Sequence, residues 1–134
     1  MDILAYEYML QGLKDYNATI EQNYGNVILE YPTNSTYPNT VFDEIRNFPN
    51  PRYKGRFDKL SSVGYSVNIY AKTKGSVNKR IIARRVFKIV DEYLSNIGLD
   101  LVSYNKNENE EGGAIYHIIA TYSGNLHENR RKLI

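Results

Sequence analysis

Residues 61–73 read SSVGYSVNIYAKT, and the rest of the chain is best understood outward from this run. Val63, Tyr65, Val67, Ile69 and Ala71 alternate with Gly64, Ser66, Asn68, Tyr70 and Lys72. A period of two suits a strand with one buried and one solvated face, because successive side chains point to opposite sides of a sheet. The alternation predicts a long strand over 57–73, with a bend or bulge placed near Ser61 and Ser62. The turn KGS (74–76) follows, and then the period changes. Ile82, Val86, Ile89, Tyr93 and Ile97 recur every three or four residues, and Ile81, Val90 and Leu94 widen the row into a broad apolar stripe. That spacing predicts a helix over 77–97, with Gly98 where a C-terminal cap glycine belongs.

Toward the N-terminus, Ile3, Leu4, Met9, Leu10, Leu13 and Tyr16 predict a first amphipathic helix with Asp2 as its N-cap. VILEY (27–31) is a short apolar run stopped by Pro32, and PTNSTYPN (32–39) has loop chemistry. TVFDEIRN (40–47) predicts a second strand, which FPNPRYKGR (48–56) is expected to break. Two prolines so close together do not suit a paired central strand. Toward the C-terminus, LDLVSYNKN (99–107) and AIYHIIATYSG (114–124) flank the acidic turn ENEEGG (108–113), the layout of a β-hairpin. Residues 125–134 lose the pattern and are expected to form an extended tail. The order is helix, short strand, strand, long strand, helix, strand, strand. It predicts one α+β domain over 1–134, a mainly antiparallel sheet with two helices on one face.

The totals are those of a globular chain: 134 residues, 42% hydrophobic and 24% charged, which excludes wholesale disorder. Cysteine is absent, removing disulfides, thiolate metal sites and cysteine nucleophiles, and fitting a reducing compartment. The opening MDILAYEYMLQGLKDY has neither a charged leader nor a long apolar core, so a cytosolic protein with no membrane association is expected. A net charge of +2 from 17 basic and 15 acidic side chains is too balanced to make nucleic acid the default partner.

Several arrangements that would signal chemistry are missing. TKGSVNKR (73–80) carries one glycine and no phosphate-loop pattern. His117 and His127 lack metal-ligand spacing, and a lone strand histidine such as His117 suits a packed or hydrogen-bonded role. Asp43 and Glu44 point to opposite faces of a strand, while Asp91 and Glu92, and Glu108, Glu110 and Glu111, suit a helix exterior and a hairpin tip. No serine sits in a nucleophile elbow. The expectation is a protein that is not an enzyme, with no catalytic residue, cofactor or metal.

Interaction is what remains. There are 13 tyrosines and no tryptophan, and tyrosine is favoured where a surface is dry part of the time. Placed on both faces of the sheet, Tyr65, Tyr70, Tyr104, Tyr116 and Tyr122 exceed what one core would use. Arg80, Arg84 and Lys88 share a helix face, either solvated or set against an acidic neighbouring subunit. The expected subunit or partner interface is therefore Tyr65, Tyr70, Arg80, Arg84, Lys88, Tyr116 and Tyr122.

The order of elements, the passage KLSSVGYSVNIYAKT (59–73) leading to ARRVFKIVDEYLSNIGLDLVSYN (83–105), and the closing YHIIATYSGNL (116–126) resemble the tail-terminator proteins of long-tailed bacteriophages. The resemblance covers 40–126, and the first helix also fits. It implies a small α+β protomer forming a ring, typically of six, on the head-proximal end of the tail tube, within the virion after assembly in the host cytoplasm. Its implied partners are itself, the tail-tube protein and the neck or head-completion proteins. The loops 33–39 and 106–113 would reach the adjacent layer. Two readings compete: a head-completion or neck adaptor of the same virion, and a small nucleic-acid-binding regulator using Arg80, Arg84 and Lys88.

Overall fold

The computed structural model of the protein describes residues 4–19, 25–30, 36–54 and 59–127. Its elements follow the expected order: α1 (Ala5–Thr19), β1 (Val27–Leu29), β2 (Asn39–Lys54), β3 (Lys59–Lys72), α2 (Lys79–Asn96), β4 (Asp100–Asn107) and β5 (Ile115–His127). Asp2, residues 32–35 of the expected loop 32–39, and residues 128–134 lie outside the described residues, whereas residues 125–127 continue β5. The five strands form one sheet in the order β1-β2-β3-β5-β4. The fold is α+β, with a mixed sheet and two helices.

β3 holds the sheet together because it is paired on both sides. Val67 stands opposite Phe42 of β2 and opposite Ala120 of β5. This register puts Val63, Tyr65, Val67, Ile69 and Ala71 on one face, each fully buried. Tyr116, Ile118, Ala120 and Tyr122 of β5 share that face, as does Phe42 of β2. Against it pack Ile82, Ala83, Val86, Val90 and Leu94 of α2, and Ala5, Met9, Leu10 and Leu13 of α1. The stripe on α2 is rotated from the expected one. Ala83 is buried while Ile81 is half-exposed, because the sheet meets the side centred on Val86, Val90 and Leu94.

Three expectations are corrected. First, β1 joins β2 in parallel, Val27 to Leu29 opposite Asn39 to Val41. The other three pairings are antiparallel. Second, β3 has no bend at Ser61 and Ser62: it pairs with β5 without a shift from Leu60 to Lys72. The irregularities lie in its neighbours, between Glu44 and Arg46 and between Pro49 and Lys54 of β2, and between Leu101 and Ser103 of β4. Third, β2 is not broken at Phe48. It continues with Pro49 opposite Ser61, because β1 covers β2 only over residues 39–41, and on an edge beyond that cover a residue without an N–H is tolerated.

Local chemistry sets the ends of α2. Asn78 caps the N-terminus, its side-chain oxygen accepting from the Arg80 N–H at 2.8 Å, so the helix starts at Lys79. At the other end Gly98 has φ +97°, the left-handed conformation that glycine takes without a Cβ clash. Its N–H donates to the Ser95 carbonyl and that of Leu99 to the Leu94 carbonyl, both at 3.0 Å, which satisfies carbonyls the helix leaves free. β3, α2 and β4 form a crossover between parallel strands with β5 inserted between them.

α1 is fixed by three contacts. The Tyr6 hydroxyl donates to the Phe42 carbonyl at 2.6 Å, and the Tyr6 ring stacks on Phe42, which stacks on Tyr65. Asn17, Asn26 and Thr40 form a buried polar cluster: Asn17 donates to the Asn26 carbonyl, Asn26 to the Asn17 side chain, and Thr40 to the Asn26 side chain, at 2.9–3.1 Å. Gly12 lets α1 approach α2, since a Cβ there would lie 1.9 Å from the Tyr93 hydroxyl oxygen. Among the described residues no helix is long and apolar enough to cross a membrane.

The Gly12 contact gives a test. On an open helix Gly→Ala stabilises by about 1 kcal/mol; here Gly12→Ala should lower stability by about 1 kcal/mol, because Tyr93 must move. In a Tyr93→Ala background the penalty should largely disappear, whereas Tyr93→Phe should relieve only part of it, because the ring Cζ would still lie 2.9 Å from the new Cβ. Urea denaturation of the single and double variants measures this coupling, and additive effects would show that the helices do not meet there.

Candidate assembly surfaces

The seven residues expected at an interface separate into three groups. Tyr65, Tyr116 and Tyr122 are buried in the protomer's own core, which corrects the placement of these tyrosines as surface contacts. Their positions on β3 and β5 match Val67 and Ala120, so the strand period sends them under the helices. The polar tip of Tyr122 reaches the rim of the core, where it donates to Asp91 Oδ1 at 2.7 Å. Burial, and then this bond to a carboxylate, push its hydroxyl well above the usual tyrosine range. The tyrosine excess is thus partly a core of large side chains.

Tyr70 lies on the opposite, open face of the sheet and stacks on His117 with ring centroids 4.1 Å apart. His117 is nearly buried, with Nδ1 2.5 Å from Glu110 Oε2 and Nε2 2.8 Å from Asn68 Oδ1. It is a packed, hydrogen-bonded strand histidine. Among the described residues no group of three or more His, Cys, Asp or Glu could hold a metal ion. Burial and the nearby Glu110 charge raise the Tyr70 hydroxyl above its ordinary range.

Arg80 belongs to the same assembly of charges. Its Nε is 2.6 Å from Glu108 Oε1, Lys72 Nζ is 3.2 Å from Glu111 Oε2, and Lys79 Nζ donates to the Gly113 carbonyl. The basic junction between β3 and α2 therefore pairs with the acidic β4–β5 turn of the same chain. Glu111 has φ +48°, a left-handed conformation unusual for a side-chain-bearing residue, in the turn that these contacts hold down. Each exposed pair contributes only about 0.2–1 kcal/mol. Together they define where the turn sits over the end of the sheet.

Arg84 and Lys88 continue the basic row along α2 and make no ion pair among the described residues. Below them Phe87 meets Tyr104 of β4 edge-on at 5.0 Å. β4 ends the sheet, and Leu101, Val102 and Tyr104 on it are 42–64% exposed. The bulge between Leu101 and Ser103 turns Val102 outward. This end is apolar along its strand and basic along its helix.

The opposite end carries a group of carboxylates, with Arg46 beside it. Leu4 of the segment leading into α1, and Ile45 and Phe48 of β2, are 47–57% exposed. Leu4, Glu7, Tyr8 and Gln11 line a groove on the outer side of α1. Glu44 lies on the α1 side of β2 and Asp43 on its other face; burial holds the Glu44 carboxyl above its usual range, opposed by the hydrogen bond from Asn47, and the charges of Glu7 and Asp43 raise it further. Arg46 turns away, donating to the Val63 carbonyl at 3.3 Å and covering the Phe48 ring.

Sequence reasoning missed this second end. Asp43 and Glu44 were read for acid–base work, and their charge was not set against Glu7, which lies 36 positions before Asp43 in the chain. The mutual attraction of the 72–80 and 108–113 segments was legible in principle as a run of lysine and arginine facing a run of glutamate. No protein-family model matches this chain, and no curated protein matches it.

Two outcomes are expected. His117→Ala removes two hydrogen bonds and a ring stack, and should cost about 1–2 kcal/mol while speeding hydrogen exchange of the amides over 108–114; unchanged exchange there would show the turn is held elsewhere. For Glu44, a raised carboxyl means the folded state binds the proton more tightly than the unfolded chain, so its ionisation disfavours folding once the pH rises through the folded pKa. Glu44→Gln should therefore be more stable than wild type at pH 7.5 by about 0.3–0.5 kcal/mol. The gap should close below about pH 4, where both states carry the proton; a gap constant with pH in denaturant titrations would contradict this origin.

Proposed function

We propose that this protein is a structural virion protein of the tail-terminator type. In this reading it is not an enzyme and uses no cofactor; copies of it close into a ring, six-membered in keeping with the resemblance, at the head-proximal end of a phage tail tube. The ring ends tube growth and presents the surface on which neck or head-completion proteins dock.

The observation that carries the reading is a sheet with a free strand at each end. Among the described residues β4 has no strand beyond it, and β2 has none beyond β1's short cover over residues 39–41. A protomer with two open, partly apolar ends has the shape of a repeating unit. The element order that resembles the terminator family adds to it, as does the turn 108–113, which contacts held within the chain place at one end of the sheet. Termination itself is geometric: a growing tube offers the same heterologous surface at every step, and a ring that matches it on one side only blocks the next addition. Weak contacts repeated around a closed ring sum to a stable cap.

The direct test is electron microscopy of the purified protein mixed with tail tubes of its own phage. Rings seated on one end of each tube, and tubes that no longer lengthen, are the expected result. A protein that stays monomeric at high concentration and leaves tube ends bare would end the proposal. Density one layer above the tube, against the head, would instead assign the neck-adaptor role.

A further inference from the structure

We infer that the two ends of the sheet are the two halves of one contact between copies of this chain: the basic β4–α2 end of one copy seats on the acidic α1–β2 end of the next. The inference deepens the ring reading above by locating the seam, and it rests on that reading only for closure of the ring.

Three observations converge. The first is charge. Arg84 and Lys88 stand one turn apart on α2 without an ion pair among the described residues, whereas Glu7 and Asp43 both raise the Glu44 carboxyl by repulsion. Arg84 and Lys88 thus stand outside any ion pair among the described residues, and at the other end carboxylates repel one another, so bringing the two sets together relieves both. Arg80 is excluded from the seam, because Glu108 already holds it.

The second is apolar surface. Leu101, Val102 and Tyr104 project from β4, and Ile45 and Phe48 from β2, all substantially exposed in the single chain. Such side chains on free edges are what a partner edge buries. Each end thus has the same composition, an apolar strand beside a charged helix, with the sign reversed.

The third is polarity. β2 is antiparallel to β3, β3 to β5, and β5 to β4, so β4 runs opposite to β2. A copy added by rotation about an axis along the strands keeps its strand directions and brings β4 antiparallel to the next copy's β2, the pairing that joins β2, β3, β5 and β4 within the sheet. The contact joins unlike patches, so it propagates: it closes into a ring if the rotation divides a full turn and forms a filament if it does not.

The test uses the full chain with charges reversed at one end at a time. One variant carries Arg84→Glu with Lys88→Glu; the other carries Glu7→Lys with Asp43→Lys. All four positions are exposed, and circular dichroism checks that each variant is folded. By sedimentation velocity across a concentration series, wild type is expected to associate, and each variant alone to associate about tenfold more weakly or worse. Mixed, the variants meet through one native seam and one seam with both signs reversed, so they should co-assemble 1:1 in alternation where neither assembles alone. A chain carrying all four reversals should associate again.

Wild type that remains monomeric, or variants that assemble as wild type does, would overturn the seam, as would a mixture of variants that stays monomeric. Variants that still cap tail tubes with rings would discard this seam and leave the terminator reading standing. Charge-dependent association with no binding to tubes would do the reverse.

Discussion

Pairing of β3 on both sides is the constraint on which the structure depends. It is the strand with the longest uninterrupted partner, running against β5 from Leu60 to Lys72 without a shift. One slip of a residue would send Val63, Tyr65, Val67, Ile69 and Ala71 to the open face and bring Gly64, Ser66, Asn68 and Tyr70 under the helices. The buried set is therefore a register lock as well as a core. Irregularities are confined to β2 and β4, where a bulge can turn a strand without disturbing the centre. Those are also the strands whose outer sides are open, so the parts of the sheet able to vary are the parts able to meet another molecule.

The charged residues fall into two kinds once the fold is in place. Lys72, Lys79 and Arg80 are spent inside the chain, holding the turn 108–113 over the end of the sheet together with His117. Arg84 and Lys88 lie further along α2 and face outward. The division follows from geometry: the β4–β5 turn reaches only the first turn of the helix. A basic row that is uniform in sequence thus becomes a clamp at one end and an open surface at the other. Across the sheet, the charges of Glu7, from α1, and Asp43, from β2, both act on the Glu44 carboxyl.

Most of the fold was legible in the chain because its signals are periodic and local. Strand alternation over 61–73, the helical stripe before Gly98 and the hairpin around ENEEGG each rest on a few neighbouring residues, and each element is present. The expectations that failed depended on neighbours distant in sequence. Pro49 sits within β2 because its outer edge is uncovered there, a fact about β1 rather than about the proline. Ile81 is half-exposed although it extends the stripe, because the sheet reaches α2 from the side of Val86 and Val90. The seven candidate interface residues divided for the same reason: a tyrosine's chemistry suits core and surface equally, and only register separates Tyr70 from Tyr65.

The sequence by itself determined the order of elements and the side of β3 that must be buried, since periods of two and of 3.6 are properties of neighbours along a chain. It also carried the lone, hydrogen-bonded character of His117 in its spacing. Tertiary structure alone decided that β1 is parallel to β2, that β5 enters between β3 and β4, and that Arg80 pairs with Glu108 while Arg84 does not. Each of these sets the sign of charge and the apolar content at the ends of the sheet. They are relations between segments separated by tens of residues, and no local pattern encodes which strand edge is left uncovered.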